Sequence, residues 1–372
     1  MTPVLRDASE VTPQVLSAIL RREGVLGRDG VLGVRSRRNP AFNSRTWHLD
    51  VSYGHPDGAG PTSLLLKANV PEPWARRAGQ REVALYDLAR MVPGHPDVLV
   101  RAFDTAFDPS SQDSHLLLLD VSGTHDVALS RELQLTPGRN VPGDGVLTAC
   151  VTALARLQAF WWQHPLLGGE VVQLPVWCRD EDALVGAVER RRQAFEALRD
   201  VEGGEVGPRL LRLYERVFGG LSHVWRTHLL PRVRSGRALT LAHGDAYPSN
   251  FFVPKGGVDA PTFIIDWQSH EAWMGAQDLA TICATFWTRE QRLAGDRERG
   301  VLRLYLDTLF ASGVRGYGWA DLVADYRLAL VYWLLVPLQD RLDGAERSYW
   351  LTKMTCLEGA FEDWEVEALF GG

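Results

Sequence analysis

This sequence predicts an α+β fold with an antiparallel sheet in its first part and a mainly helical second part. Three patterns carry that expectation. Apolar and polar residues alternate from Trp47 to Tyr53, and a second β-like run from Ser63 to Val70 follows the turn-rich His55-Pro-Asp-Gly-Ala-Gly-Pro61. Past residue 125 the period changes to 3.6, with Val146, Cys150, Leu154, Leu157 and Trp161 on one helical face. No internal repeat or low-complexity linker interrupts the chain, so two lobes of one unit fit better than independent domains.

Composition narrows the class. With 372 residues, 45% apolar and 23% charged, the chain reads as soluble and globular and is long enough for two lobes. A formal charge of −6 argues against nucleic acid as a partner, because phosphate backbones call for concentrated Lys and Arg. Cys150, Cys178, Cys283 and Cys356 lie far apart without a Cys-x-x-Cys pattern, as expected of free buried thiols in a reducing compartment. The start of the chain carries Asp7 and Glu10 without an apolar leader segment. The longest apolar run, Leu328 to Leu338, is interrupted by Pro337 and is about half the length a bilayer requires. Together these features predict a cytoplasmic protein with no membrane partner.

The elements follow in order. Val11, Val15, Ala18 and Ile19 predict a helix over 11–23, and Gly24, Gly27, Gly30 and Gly33 then break the chain into turns. The two β-like runs form a hairpin, and Lys67 ends the apolar strand Leu64-Leu-Leu66. A helix begins at Arg81-Glu-Val-Ala-Leu-Tyr86, with Glu82 one turn before Tyr86. His115 to Val121 is a buried strand followed by Ser122 and Gly123. Leu210, Leu213, Tyr214, Val217, Leu221, Val224 and Trp225 mark a second long core helix, and Arg190-Arg-Arg192 reads as solvated helix surface. A helical block from Trp319 to Phe370 closes the chain.

The chemistry concentrates in Leu241-Ala-His-Gly-Asp-Ala-Tyr-Pro-Ser-Asn-Phe-Phe-Val253, followed by Phe263-Ile-Ile-Asp-Trp-Gln268. Asp245 and Asn250 are separated by four residues, the spacing of a protein-kinase catalytic loop, in which the Asp meets the acceptor hydroxyl and the Asn holds a metal. Asp266, after a β-rich run, occupies the metal-chelating place. Carboxylate and amide oxygens are the ligands Mg²⁺ prefers, so Asn250 and Asp266 suit it. Asp245 would accept or orient the hydroxyl proton; a turn Asp after Gly244 is its ordinary alternative.

On these motifs the chain resembles the aminoglycoside phosphotransferase and choline kinase-like small-molecule kinases, in which His-Gly-Asp replaces His-Arg-Asp and Ile-Asp-Trp replaces Asp-Phe-Gly. Gln268 and the downstream Gly275-Ala-Gln-Asp-Leu-Ala280 look closest to the ecdysteroid kinase-like branch. The resemblance runs roughly from Lys67 to Trp287 and implies a bilobal protein kinase-like fold. Its expected parts are an N-lobe over 1–119, a hinge over 120–124 and a helical C-lobe over 125–372. It also implies transfer of the γ-phosphate of Mg-ATP to a hydroxyl of a small molecule, aminoglycoside-, choline-, sugar- or steroid-like. Lys67 then holds the α- and β-phosphates, paired with Glu82, and backbone groups around Asp120 and Val121 meet the adenine edge. Leu119 stands where relatives carry an acid.

His243 and Asp278 would brace the loop by hydrogen bonds, although an N-cap for the helix starting near Leu279 would use Asp278 equally well. No Gly-x-Gly-x-x-Gly is present. The candidate phosphate-covering loop is Ser36-Arg-Arg-Asn-Pro-Ala-Phe-Asn-Ser-Arg-Thr46, where Asn43 and Ser44 offer polar side chains and Arg37, Arg38 and Arg45 read as a solvated cluster.

Trp161, Trp162, Trp273, Trp287, Trp333 and Trp350 lie in segments expected around the acceptor pocket, either as a cation–π cage or as ordinary core. The acidic Glu358, Glu362, Asp363 and Glu365 would attract a cation or form a solvent face. The alternative to a kinase is a catalytically silent nucleotide-binding pseudokinase or scaffold, and the joint presence of Lys67, Asp245, Asn250 and Asp266 speaks against it.

Overall fold

A computed structural model of the chain describes residues 3–27, 30–39, 44–54, 60–178, 180–200, 204, 206–256 and 258–371. They gather into two compact units, Met1–Asp126 with Pro254–Ser269, and Val127–Val253 with His270–Gly372.

The first unit is built on β1 (Val31–Asn39), β2 (Ser44–Tyr53), β3 (Ser63–Asn69), β4 (Ala102–Phe107) and β5 (Ser114–Leu119). They lie in the order β1-β2-β3-β5-β4, and every neighbouring pair is antiparallel. Alternation sets the burial: Trp47, Leu49 and Val51 of β2 and Leu64, Leu66 and Ala68 of β3 all enter one core. Helix α1 (Pro13–Arg22) covers that core with Leu16, Ile19 and Leu20. Its start is fixed by Pro13 and by Thr12 Oγ1, which accepts the Val15 N–H at 3.3 Å.

The period of two turns Lys67 away from that core, toward α2 (Pro73–Met91). This helix begins well before the expected Arg81, because Pro73 is preset for the first helical position, and Glu82 falls in its middle. At Gly79 the helix rests so closely on the sheet that an added Cβ would meet Ser114 Oγ of β5.

Two other expectations change. The glycine-marked turns give way at Val31 to β1, because an edge strand needs a partner on one side only and tolerates exposed Arg35, Arg37 and Arg38. The expected phosphate-covering loop is therefore largely the β1 end and the β2 start; Asn43 lies outside the described residues. Strand β3, in contrast, keeps to the expected run from Ser63 to Val70, ending at Asn69 with Lys67 inside it.

The second unit is helical. Its helices are α3 (Arg131–Gln134), α4 (Asp144–Phe160), α5 (Glu181–Arg199), α6 (Pro208–Val224) and α7 (Leu230–Ser235). After the segment from Leu241 to Gln268 come α8 (Ala276–Ala284), α9 (Arg289–Leu293), α10 (Arg297–Ala311), α11 (Trp319–Leu342) and α12 (Arg347–Asp363). Every residue of α8 is buried. Two short strands, Thr240–Ala242 and Glu271–Trp273, pair antiparallel and so bring the segment after Ala242 beside the start of α8.

Pro337 does not end its helix: α11 runs through it to Leu342. An interior proline costs roughly 3 kcal/mol, and the burial of α11 against α8 and α12 outweighs this. Tyr214 donates its hydroxyl to the Leu334 carbonyl one turn earlier, at 2.8 Å. Among Arg190, Arg191 and Arg192 only the first is exposed; Arg191 donates to the Ala187 carbonyl at 2.6 Å and Arg192 to that of Phe218 at 3.2 Å. No helix among the described residues is long and apolar enough to cross a membrane.

Candidate functional site

In the first unit Lys67 is held by two carboxylates. Its Nζ lies 2.7 Å from Glu82 Oε2 and 2.8 Å from Asp266 Oδ1. The Trp267 N–H donates to Glu82 Oε1 at 3.2 Å, which ties the segment carrying Asp266 to α2. Asp266 takes a left-handed φ of 65°, a conformation Asp tolerates better than most residues. Gln268 Nε2 donates to its Oδ2 at 3.2 Å. Burial opposes the charge on Lys67, but Asp266 and Glu82 outweigh it and raise its pKa well above the ordinary value. For Glu82, burial raises the pKa against the lowering effect of Lys67.

Ser44 lines the same recess as Lys67, Asn69, Glu82 and Gln268, and its hydroxyl is 3.0 Å from that of Thr46. Arg45 bonds the Asn69 carbonyl at 3.0 Å through Nη2. Asp120 follows β5, and its carboxylate accepts from His48 Nδ1 at 2.9 Å, Ser63 Oγ at 2.8 Å and the Ser122 N–H at 2.9 Å. Burial pushes its pKa up, but the bonds from Ser122, His48 and Ser63 win and bring it to about 2. The Asp120 N–H is bonded to the Ser63 carbonyl, and the Val121 carbonyl accepts from Thr124 and His125.

In the second unit Asp278 organises the segment from His243 to Asp245. Its Oδ2 accepts the His243 N–H at 2.8 Å and its Oδ1 the Gly244 N–H at 3.0 Å. The Asp245 N–H in turn donates to His243 Nδ1 at 3.2 Å. Gly244 has a φ of 78°, which a residue with a Cβ would adopt only with strain. Asn250 Nδ2 donates to the Asp245 carbonyl at 2.8 Å and to its carboxylate at 3.3 Å, and these two bonds leave the amide oxygen as an acceptor. Asp278 lies inside α8, whose N-cap is Gly275, so the capping alternative is not the one the fold uses.

Sequence reasoning missed the support behind Asp278. Gln158 of α4 donates to Asp278 Oδ2 at 2.7 Å, and Tyr305 of α10 donates to Gln158 Oε1 at 2.6 Å. All three are at most 1% exposed. Gly275 makes the junction possible, since a Cβ there would collide with Tyr305 and Gln158. The available signal was Gln158 itself, a polar residue one turn after Leu154 on a predicted apolar face. Burial lifts Asp278 to about 7, against the lowering effect of the His243 and Gly244 N–H donors.

The tryptophans resolve toward core. Trp161, Trp273, Trp287, Trp333 and Trp350 are at most 3% exposed, and Trp162 is half-buried against Tyr317. The acidic tail is matched by arginines: Glu358 and Glu362 with Arg209, Asp363 with Arg289 and Arg292, and Glu365 with Arg327. Among the described residues no group of three or more His, Cys, Asp or Glu forms a metal cage.

Solved structures resemble the chain at low identity. A choline kinase from Cryptosporidium parvum Iowa II aligns over 95% of this chain and 97% of its own, with 9% identity and a TM-score of 0.55, which shows the fold. A choline/ethanolamine kinase family protein from Mesorhizobium loti aligns over 92% and 94%, with 15% identity and a TM-score of 0.49. A Plasmodium vivax ethanolamine kinase aligns over 89% and 83%, with 12% identity and a TM-score of 0.49. No curated protein matches the chain. The family model described as "Phosphotransferase enzyme family" matches residues 43–327, which take in Lys67, the loop from His243 to Asn250, Asp266 and Asp278. A match over that much of the chain, on a protein kinase-like α+β fold, makes this protein an enzyme of the phosphotransferase family.

Proposed function

We propose that this phosphotransferase moves the γ-phosphoryl group of ATP, with Mg²⁺, to a hydroxyl of a small organic molecule. The observation that carries the reading is Lys67, a half-buried ammonium fixed between Glu82 and Asp266. A fixed positive charge is what nucleotide phosphates require, and two carboxylates keep it charged in a site that would otherwise strip its proton.

Asp266 and Asn250 are proposed as the metal ligands on their chemistry: a carboxylate and an amide oxygen are each hard ligands of the kind Mg²⁺ takes while keeping water and phosphate in its shell. Bound there, Mg²⁺ would neutralise charge on the phosphate oxygens. Asp245 orients the acceptor hydroxyl and takes its proton, and His243, Asp278 and Asn250 hold the backbone and carboxylate of Asp245 in place. For the adenine edge the segment 120–124 offers the Asp120 carbonyl and Val121 N–H, since its other backbone groups at these two positions are engaged. Ser44 is proposed at the phosphates because it lines the Lys67 recess. Gln268 and Gly275-Ala-Gln-Asp-Leu-Ala280 support placement in the ecdysteroid kinase-like branch. Free, buried Cys150, Cys283 and Cys356 support a cytoplasmic setting; the side chain of Cys178 lies outside the described residues.

The test is nucleoside diphosphate release from Mg-ATP across aminoglycosides, choline, sugars and steroids, beside Asp245→Asn. Acceptor-dependent release that falls about 10²–10⁴-fold in the variant, with nucleotide affinity nearly unchanged, is the expected result. Release that Asp245→Asn leaves intact would sink the assignment. Nucleotide binding without release for any acceptor would favour a silent pseudokinase.

A further inference from the structure

A second carboxylate-paired lysine, this one buried, sits in a box of aromatic rings. Lys353 of α12 is 2% exposed, and its Nζ lies 4.3 Å from the ring centroid of Tyr349, 5.5 Å from Tyr247, 5.6 Å from Phe286 and 5.9 Å from Trp333. Among the described residues Asp340 of α11 supplies its carboxylate partner, at 2.9 Å. Four rings within about 6 Å of one cation is the arrangement that recognises alkylammonium ligands. One wall belongs to the catalytic loop, since the Tyr247 N–H donates to the Asp245 carbonyl at 2.7 Å. The box thus exists where an ammonium-bearing acceptor would profit from it, and the protein's own ammonium is inside. A free cation would have to displace a tethered one and leave Lys353 without either the rings or Asp340.

We propose that Lys353 is a built-in occupant of this box, so that the acceptor of this enzyme is a hydroxyl compound without a quaternary ammonium and choline-like acceptors are excluded. The acceptor half of this statement rests on the hydroxyl-transfer reading above; the occupancy of the box does not. Lys353 and Asp340 act here as specificity residues that touch neither nucleotide nor the reacting hydroxyl.

Tetramethylammonium chloride is the probe, titrated against sodium chloride of equal ionic strength, and tryptophan fluorescence and thermal melting are the readouts. The wild-type chain is compared with Lys353→Ala/Asp340→Asn, which empties the box without stranding a carboxylate, and with Lys353→Met/Asp340→Asn, which refills it with an uncharged chain. The expected result is a saturable response in the first variant only, at least about tenfold tighter than any in the other two. A folded Lys353→Ala/Asp340→Asn protein that ignores tetramethylammonium overturns the proposal. Should that variant fail to fold, choline decides: saturable binding to the wild-type chain, or choline-dependent diphosphate release by it, overturns the proposal, and neither response to choline while another hydroxyl compound is phosphorylated sustains it. Because the tetramethylammonium titration needs neither nucleotide nor turnover, a chain that transferred no phosphoryl group would still show the box emptying, and the two readings fail separately.

Discussion

Lys67 and Lys353 are both paired with carboxylates, the first half-buried and the second buried, yet their surroundings differ in kind. Lys67 faces two carboxylates and a recess lined by Ser44, Asn69 and Gln268. Lys353 faces one carboxylate and four rings. A cation held by oxygen ligands beside a polar recess can take phosphate oxygens as further partners. Aromatic rings satisfy a cation without offering anything to exchange. The first arrangement suits binding, the second suits permanent occupancy.

The largest effect expected to sharpen this contrast is on Lys67. Lys67→Met should lower kcat by about 10²–10³-fold, the usual consequence of deleting one preorganised electrostatic group, and weaken nucleotide affinity in a binding titration. An unchanged kcat would remove Lys67 from the chemistry. Lys353→Met should instead act on stability, lowering it by about 3 kcal/mol because Asp340 loses its partner, and Asp340→Asn in the same chain should restore much of the loss. Denaturant melts of the single and double variants check this; equal losses in both would show that the ion pair is not the source.

Next in size is the pH dependence of the catalytic loop. Two backbone N–H groups and Gln158 donate to Asp278, so its ionised form is the one that holds His243 and Gly244. With the carboxyl lifted to about 7, turnover should rise as pH passes that value, approaching tenfold per unit well below it, and Asp278→Asn should flatten the limb. The sign for stability is opposite. The folded carboxyl binds its proton more tightly than the ordinary value of 3.8, so its contribution is greatest at acid pH and declines as pH rises through about 7. A profile with no inflection near there would contradict both. Smallest is Tyr305→Phe, which deletes one hydroxyl donor to Gln158 and should cost about 1 kcal/mol in a thermal melt.

What the sequence revealed was the part of each cluster confined to a short segment. His243, Asp245 and Asn250 share one loop, and Lys67 ends a recognisable apolar strand, so local pattern was enough. The box around Lys353 draws on a loop at Tyr247, the bend after α8 at Phe286, and two helices, and no spacing rule links them. The same holds for Gln158 and Tyr305, 147 positions apart in the chain. The start of α2 is marked in the sequence by Pro73, nine residues before the pairing residue Glu82.

The first unit is discontinuous, and this shapes how the protein is made. Lys67 meets Glu82 across 15 positions but meets Asp266 across 199. Closing the longer loop carries roughly 2 kcal/mol more chain entropy. On a ribosome, the residues through Val253 must emerge before Pro254–Ser269 can return to complete the first unit. A chain interrupted anywhere in its second unit before that return therefore carries Lys67 and Glu82 without Asp266, and the two-carboxylate setting of Lys67 is complete only after residue 266 has been made.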